Sequence, residues 1–392
     1  MYPELWTIPG ITTIKSYGFC LMVGFLSAVW LAMRRALRVK ANPDIVLNLS
    51  FVALICGVAG ARFFFVVHYW HVEFAGHHNP LLAIIDLRKG GLEFLGGLLG
   101  GAGGIALYLL VKKESVRLYL DILAPGLMWG LAIGRIGCFL NGCCFGGPCD
   151  LPWGVQFPYG SNPYIWQWEN RQIRVPAELI NSTSRPVSLL GAAALNMSDD
   201  RRRGPKRRVE DIEKQLAAAT ASDPDSETTR QLQASLASAK RKLEKFKREN
   251  WLGVLEKAQL YPSRMNPGRR TSVSELQQLA QNHPSLPVNP TQLYSSIHAF
   301  LLAGLLSTVF YRRTRHGVVV GLLFLLYPIA RVILESIRVD NPHDTAGLTI
   351  SQFVSLVMFV GGAAYLYVLY RFMPQRSPRV VAYIPPEETN DK

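Results

Sequence analysis

Charged residues are scarce in this chain: Asp, Glu, Lys and Arg make up only 18% of it, while 49% is hydrophobic, and the apolar residues are gathered into long runs. That distribution excludes an ordinary soluble domain and reads as an integral membrane protein. Acidic residues are the scarcer sign, 28 Asp plus Glu against 42 Lys plus Arg, for a net charge of +14. Much of the excess flanks apolar runs or lies in one inserted segment, so topology and anionic membrane lipids account for it and no nucleic-acid partner is expected. The N-terminus lacks a basic leader and a small-residue cleavage site, with Glu4 early and no Lys or Arg before Lys15, so the first apolar run is expected to stay as a span. Cysteines number six, of which Cys20 and Cys56 sit inside apolar runs as small packed hydrophobes. The other group, Cys138, Cys143, Cys144 and Cys149, is spaced C-x4-C-C-x4-C and lacks the paired C-x2-C units of a zinc site. Structural thiols or one disulfide fit that spacing better than a metal, so no metal is assigned.

What is present is about seven apolar runs of spanning length with basic flanks on one side. Tyr17 to Met33 ends in Arg34, Arg35, Arg38 and Lys40; Leu47 to Tyr69 returns to an aromatic, histidine-bearing segment, His68 to His78. Leu92 to Val111 meets Lys112, Lys113 and Arg117, and Ile122 to Leu140 comes back out. After the insertion, Leu293 to Phe310 stops at Arg312, Arg313 and Arg315, Val318 to Leu334 returns, and Ile350 to Tyr370 ends with Arg371, Arg376 and Arg379. The positive-inside bias then puts the N-terminus outside and the C-terminus inside. The expected fold is an all-α polytopic membrane protein: spans in 1–140, an extracytoplasmic head over 141–290, spans in 291–370 and a cytoplasmic tail over 371–392. Within the head no run is long and apolar enough to span. Val209, Ile212, Leu216 and Ala219, then Leu232, Leu236, Ala239, Leu243 and Phe246, step by three and four around Asp223-Pro224-Asp225, which predicts a helical hairpin, an antiparallel coiled coil near 208–250. The basic run Arg201 to Arg208 before it reads as a solvated or lipid-hugging linker rather than a nucleic-acid site.

The chemistry-bearing stretch is 134–146, Gly-Arg-Ile-Gly-Cys-Phe-Leu-Asn-Gly-Cys-Cys-Phe-Gly, at the end of the fourth run. An arginine there needs a polar partner or an anionic ligand to offset desolvation, and Gly134, Gly137, Gly142 and Gly146 permit close backbone approach that mere head-group anchoring would not require. Arg331 and Glu335, spaced i, i+4, share a helix face at a similar depth, as an ion pair or as part of a site. Arg62, Arg135 and Arg331 supply more positive charge than Glu335 neutralises, which makes a phospholipid phosphate a natural partner.

The stretch resembles the signature of the bacterial phosphatidylglycerol:prolipoprotein diacylglyceryl transferase family, Gly-Arg-x-Gly-Asn-Phe-x-Asn-Gly-Glu-x-x-Gly. Gly134, Arg135, Gly137, Phe139, Asn141, Gly142 and Gly146 match; Cys138 replaces the asparagine and Cys143 the glutamate. Tyr17-Gly18 is similar to the family's first-span Tyr-Gly, and Asp121, Ala124 and Pro125 also fit. Residues 90–98 resemble Gly-Gly-x-x-x-His-Gly-Gly-Leu, with Gly96 and Gly97 in place but Leu95 where histidine or tyrosine is usual. Pro290-Thr291-Gln292-Leu293-Tyr294 resembles the core of His-Pro-x-Gln-Leu-Tyr-Glu, with Asn289 and Ser295 at its ends.

The resemblance implies transfer of diacylglyceryl from phosphatidylglycerol to the lipobox cysteine of a prolipoprotein, in the bacterial inner membrane, without a cofactor and with the site toward the outer leaflet. It implies catalytic roles for Arg135, Arg331, Glu335 and Tyr17, and substrate contacts for Arg135, Asn141, Gly142, Gly146, Gly96, Gly97, Gln292 and Tyr294, to which the surplus of positive charge adds Arg62. With leucine at 95, Glu335, Tyr17 through a network, or spontaneous ionisation of the substrate thiol stand as sources of the thiolate. Two alternatives compete: a catalytically silent paralogue that binds lipid or an envelope protein partner through the hairpin, and a membrane thiol-redox protein built on the external cysteines.

Overall fold

Seven apolar stretches fold as helices in the computed structural model, which describes residues 4–8, 12–74, 80–86, 90–181, 188–195, 197, 199–222, 227–249, 272–340 and 347–373. Six are long and apolar enough to cross a membrane: α1 (Ser16–Arg38), α2 (Pro43–His68), α4 (Val116–Asn141), α5 (Thr291–Arg312), α6 (Val318–Ile337) and α7 (Ile350–Phe372). The shorter α3 (Phe94–Val111) is the remaining apolar one. The protein is therefore an all-α, multi-pass membrane protein, with most of the expected helices longer by a few residues, while α3 starts two residues later than expected, at Phe94. Arg376, Arg379, Asp223-Pro224-Asp225, the later part of His68–His78 and the side chains of 201–203 lie outside the described residues.

Local chemistry sets the helix boundaries. Asn42 accepts from the Asp44 N–H with Pro43 in the first turn of α2, and Thr349 and Gln352 form a reciprocal capping box at the start of α7. Helix α4 stops because Gly142 takes a left-handed conformation, φ 77°, and returns its N–H to the Cys138 carbonyl.

The chain divides into two compact units, one comprising Gly147–Asn289 and the other Tyr2–Gly146 with Pro290–Lys392. In the membrane unit the core runs through Ala32, Ala36, Val46, Leu49, Leu109, Tyr119, Ile122, Leu306, Phe310 and Val319. Glycine, not bulk, lets helices approach: a Cβ on Gly60 of α2 would lie 2.4 Å from the Gly96 carbonyl of α3, and one on Gly100 would lie 2.4 Å from that of Cys56. A second crossing joins α1 to α4, where a Cβ on Gly24 would meet the Gly130 carbonyl at 2.9 Å. Asp121 ties α4 to the start of α6, accepting from the Gly317 and Val320 N–H groups and pairing with Arg313 at 2.9 Å.

The Gly147–Asn289 unit has its own core of Tyr159, Tyr164, Leu179, Leu190, Leu195, Met197, Leu276 and Ala280. It carries a helical hairpin, Asp199–Ser222 and Glu227–Glu249, bridged by Lys240 and Glu213 at 2.8 Å. Along the hairpin Ile212, Leu216, Ala219, Leu232, Leu236, Ala239 and Leu243 are half-buried between exposed neighbours, the stripe that their spacing predicts.

Candidate functional site

The site grows from the ends of three helices in the membrane unit. Beyond Gly142 the backbone turns again at Cys144, a non-glycine residue at φ 60°. The side chains that open α5 grip this turn: Gln292 Nε2 donates to the Cys143 carbonyl at 2.8 Å and Thr291 Oγ1 to the Cys144 carbonyl at 2.6 Å. The Cys144 N–H donates to Asp340 Oδ2 at 3.1 Å, and Gly146 pairs with Arg338 in an isolated antiparallel bridge just past α6. The segment after the α4 signature is thus fixed by the start of α5 and the end of α6.

An ionic cluster sits on the same turn. Glu335, 1% exposed, meets Arg331 Nη2 at 2.8 Å and Arg338 Nη1 at 3.5 Å and accepts from Thr349 Oγ1 at 3.3 Å. Arg331 also donates to Ser351, while Arg338 holds Asp340 through two nitrogens at 2.9 and 3.1 Å. Arg135 differs from both: its Nε is buried and has no hydrogen-bond partner among the described residues. Its electrostatic neighbours are Cys144, Cys138, Tyr327 and Arg338. Three guanidiniums thus face two carboxylates, both already engaged, and a buried donor is left open.

Three thiols complete the constellation, since the Sγ atoms of Cys138, Cys143 and Cys144 all lie within 4.8 Å of one another. Hydrogen bonds from Cys138 and Cys143, with Arg338 and Arg135 nearby, hold the Cys144 thiol well below its ordinary range against the opposing effect of burial. Tyr17, at the start of α1, lies within electrostatic reach of all three thiols and of Arg135. An apolar groove of about 480 Å³ runs between α5 and α6, lined by His298, Leu301, Leu305, Leu326, Ile329 and Ile333 among others. Tyr327, whose ring is 6.5 Å from that of His298, is within electrostatic reach of both Arg135 and Arg331.

The model of the prolipoprotein diacylglyceryl transferase family matches residues 3–209 and 253–368. The chain belongs to this family. It is 28% identical over 389 residues to a phosphatidylglycerol–prolipoprotein diacylglyceryl transferase of Rhodopirellula baltica, covering 91% of this chain and 73% of that protein. Enzymes of the same name from Thermosynechococcus vestitus and Clostridium tetani are 31% and 33% identical over 39% and 40% of this chain. The chain spans 56% and 61% of those two relatives.

As a divergent diacylglyceryl transferase family member, the chain distributes its signature residues unevenly. Arg135, Arg331, Glu335, Gln292, Gly142, Gly146 and Tyr17 come together around one turn, and Asn141 is the last residue of α4, just before it. Gly96 and Gly97 face Gly60, Gly57 and Ala61 of α2, so helix packing accounts for them. Arg62 donates to the carbonyls of Ala83, Ile84, Asp86, Gly90 and Gly91. Its donors are thus engaged by backbone carbonyls of the segment ahead of α3. Tyr294 is half-buried near the start of α5, and Leu95 offers an aliphatic side chain in the first turn of α3. Arg338 and Asp340 had not stood out in the sequence; the only signal was an Arg-x-Asp just past an apolar run, indistinguishable there from a basic flank.

Proposed function

We propose that this chain transfers the diacylglyceryl group of phosphatidylglycerol to the lipobox cysteine thiol of prolipoproteins, releasing glycerol phosphate. Family membership supports the reaction class, and the single observation that carries the assignment of the site is the open, buried Nε of Arg135 beside an ionic cluster with a surplus of positive charge. A phosphate oxygen satisfies that donor. Arg331 and Arg338, held by Glu335 and Asp340, add field without leaving their partners.

The reaction is a displacement at glycerol C3. A thiolate pair forms the S–C bond, the C3–O bond breaks toward the phosphate, and the guanidinium of Arg135 spreads the charge that gathers on the leaving oxygens. The apolar groove between α5 and α6 suits an acyl chain. With basic flanks such as Arg34, Arg35, Arg312 and Arg371 on the cytoplasmic side, the Arg135 turn faces the outer leaflet of the inner membrane and the Gly147–Asn289 unit is extracytoplasmic.

Purified protein given phosphatidylglycerol and a lipobox peptide should yield the diacylglyceryl thioether, and Arg135→Ala should slow it by about 10²–10³. Transfer by Arg135→Ala at the unaltered rate would overturn the assignment, and no transfer by the unaltered protein would favour a silent lipid-binding paralogue.

A further inference from the structure

Leu95 leaves the reaction without an evident base, and the three thiols beside Arg135 have no part in the steps above. We propose that Cys138, Cys143 and Cys144 bind one thiophilic divalent ion, Zn²⁺, with a fourth position open to the thiol of the acceptor peptide. The metal site stands on its own geometry; the use of its fourth position rests on the diacylglyceryl transfer proposed above.

The donor set is of the right kind and already converges. Three sulfurs within 4.8 Å of one another need only small side-chain rotations to reach the ~3.8 Å spacing of a tetrahedral ion with Zn–S bonds of about 2.3 Å. Their backbone is fixed in advance: Gln292 and Thr291 hold the Cys143 and Cys144 carbonyls, and Asp340 holds the Cys144 N–H. Cys144 is kept at φ 60°, a conformation a β-carbon disfavours, and this turn is what aims two neighbouring sulfurs and Cys138 at one point. A disulfide would use two of the three thiols; an ion uses all of them. The linear spacing had argued against a metal because it has no C-x2-C pair, but the left-handed turns at Gly142 and Cys144 bring together in space what the spacing keeps apart. Charge agrees as well. Three thiolates and a divalent ion form a monoanion, which Arg135 and Arg338 are placed to balance.

An open position on such an ion would bind the lipobox sulfur and release its proton to solvent, because a coordinating thiol is deprotonated outright. The sulfur's electron pair then forms the S–C bond as the C3–O pair departs with the phosphate, and the thioether, a poorer ligand than a thiolate, leaves. No redox change occurs, and the proton released is the one the glycerol phosphate finally carries.

The full chain, purified in detergent with its thiols reduced, should take up one Zn²⁺ or Co²⁺ per molecule, the latter with a sulfur-to-cobalt charge-transfer band. Cys138→Ser and Cys144→Ser should lose that uptake while Cys56→Ser and Cys149→Ser keep it, and a chelator should reverse it in the unaltered protein, which controls for variants that fold poorly. A lipobox peptide should shift the cobalt bands and its serine analogue should not. Absent uptake, or uptake retained by a Cys138→Ser/Cys144→Ser double variant, would overturn the site. Uptake without the peptide-dependent shift would overturn the open position. Full transfer by rigorously metal-free protein would remove the ion's role while leaving the transfer reaction itself intact.

Discussion

Glu335 and Arg331 lie 2.8 Å apart, one helical turn from each other on α6, and the carboxylate is closed off from water. Such a pair is costly to break on one side only. Glu335→Ala would leave Arg331 and Arg338 facing one another without their shared counter-charge, and should lower stability by about 3–5 kcal/mol. Replacing both, as Glu335→Leu with Arg331→Leu, should recover much of that loss, because an apolar pair of similar volume needs no counter-charge, yet should not restore transfer. Thermal unfolding in detergent, read beside the transfer assay, separates the two effects. Recovery of both would reduce the pair to a structural role.

Arg62 tests whether an arginine inside a span must serve a ligand. Its guanidinium donates to five backbone carbonyls between Ala83 and Gly91. Arg62→Lys keeps the charge but cannot reach a planar set of acceptors, so it should destabilise by roughly 3 kcal/mol or more. The loop before α3 should become the earliest site of hydrogen exchange. Unchanged stability would mean that the loop holds itself.

Much of this arrangement was legible in the linear chain. The spans were, because apolar runs bounded by arginines have few other solutions, and so was Arg331 with Glu335, because the i, i+4 spacing fixes adjacency on a helix. The five acceptors of Arg62 were not, since they are carbonyls 21 to 29 residues away and every residue has one. The convergence of three thiols was also hidden. It depends on a positive φ at Cys144, a non-glycine position whose sequence gives no sign of it. Arg338 was masked by resembling the basic flanks that end other spans.

The glycine seam between α2 and α3 makes a sharp stability prediction. Gly60→Ala and Gly100→Ala each drive a methyl to 2.4 Å from a facing carbonyl, where the helices can only move apart. Both should cost about 1–3 kcal/mol, the usual range for overpacking. Gly103→Ala, on the same helix with nothing within 4 Å of the added carbon, should be neutral or slightly stabilising. Equal unfolding temperatures for all three would show that the helices are not closely seated.

The helical hairpin gives the last test, because two independent facts detach it from the chemistry. The family match breaks off at residue 209 and resumes at 253, leaving most of the hairpin outside it. Moreover, every residue gathered around Arg135 belongs to the other compact unit. Glu213 and Lys240 lie 2.8 Å apart across the hairpin, so residues 214–239 can be replaced by a short glycine-rich turn without straining what remains. The shortened protein should fold, keep its thermal transition and transfer diacylglyceryl to a soluble lipobox peptide at the original rate. The hairpin's exposed, charged faces then suit a role with a protein in the envelope, which should show as lost co-purification in the shortened protein under conditions where transfer persists. A large fall in transfer to the free peptide would instead assign the hairpin to handling the substrate.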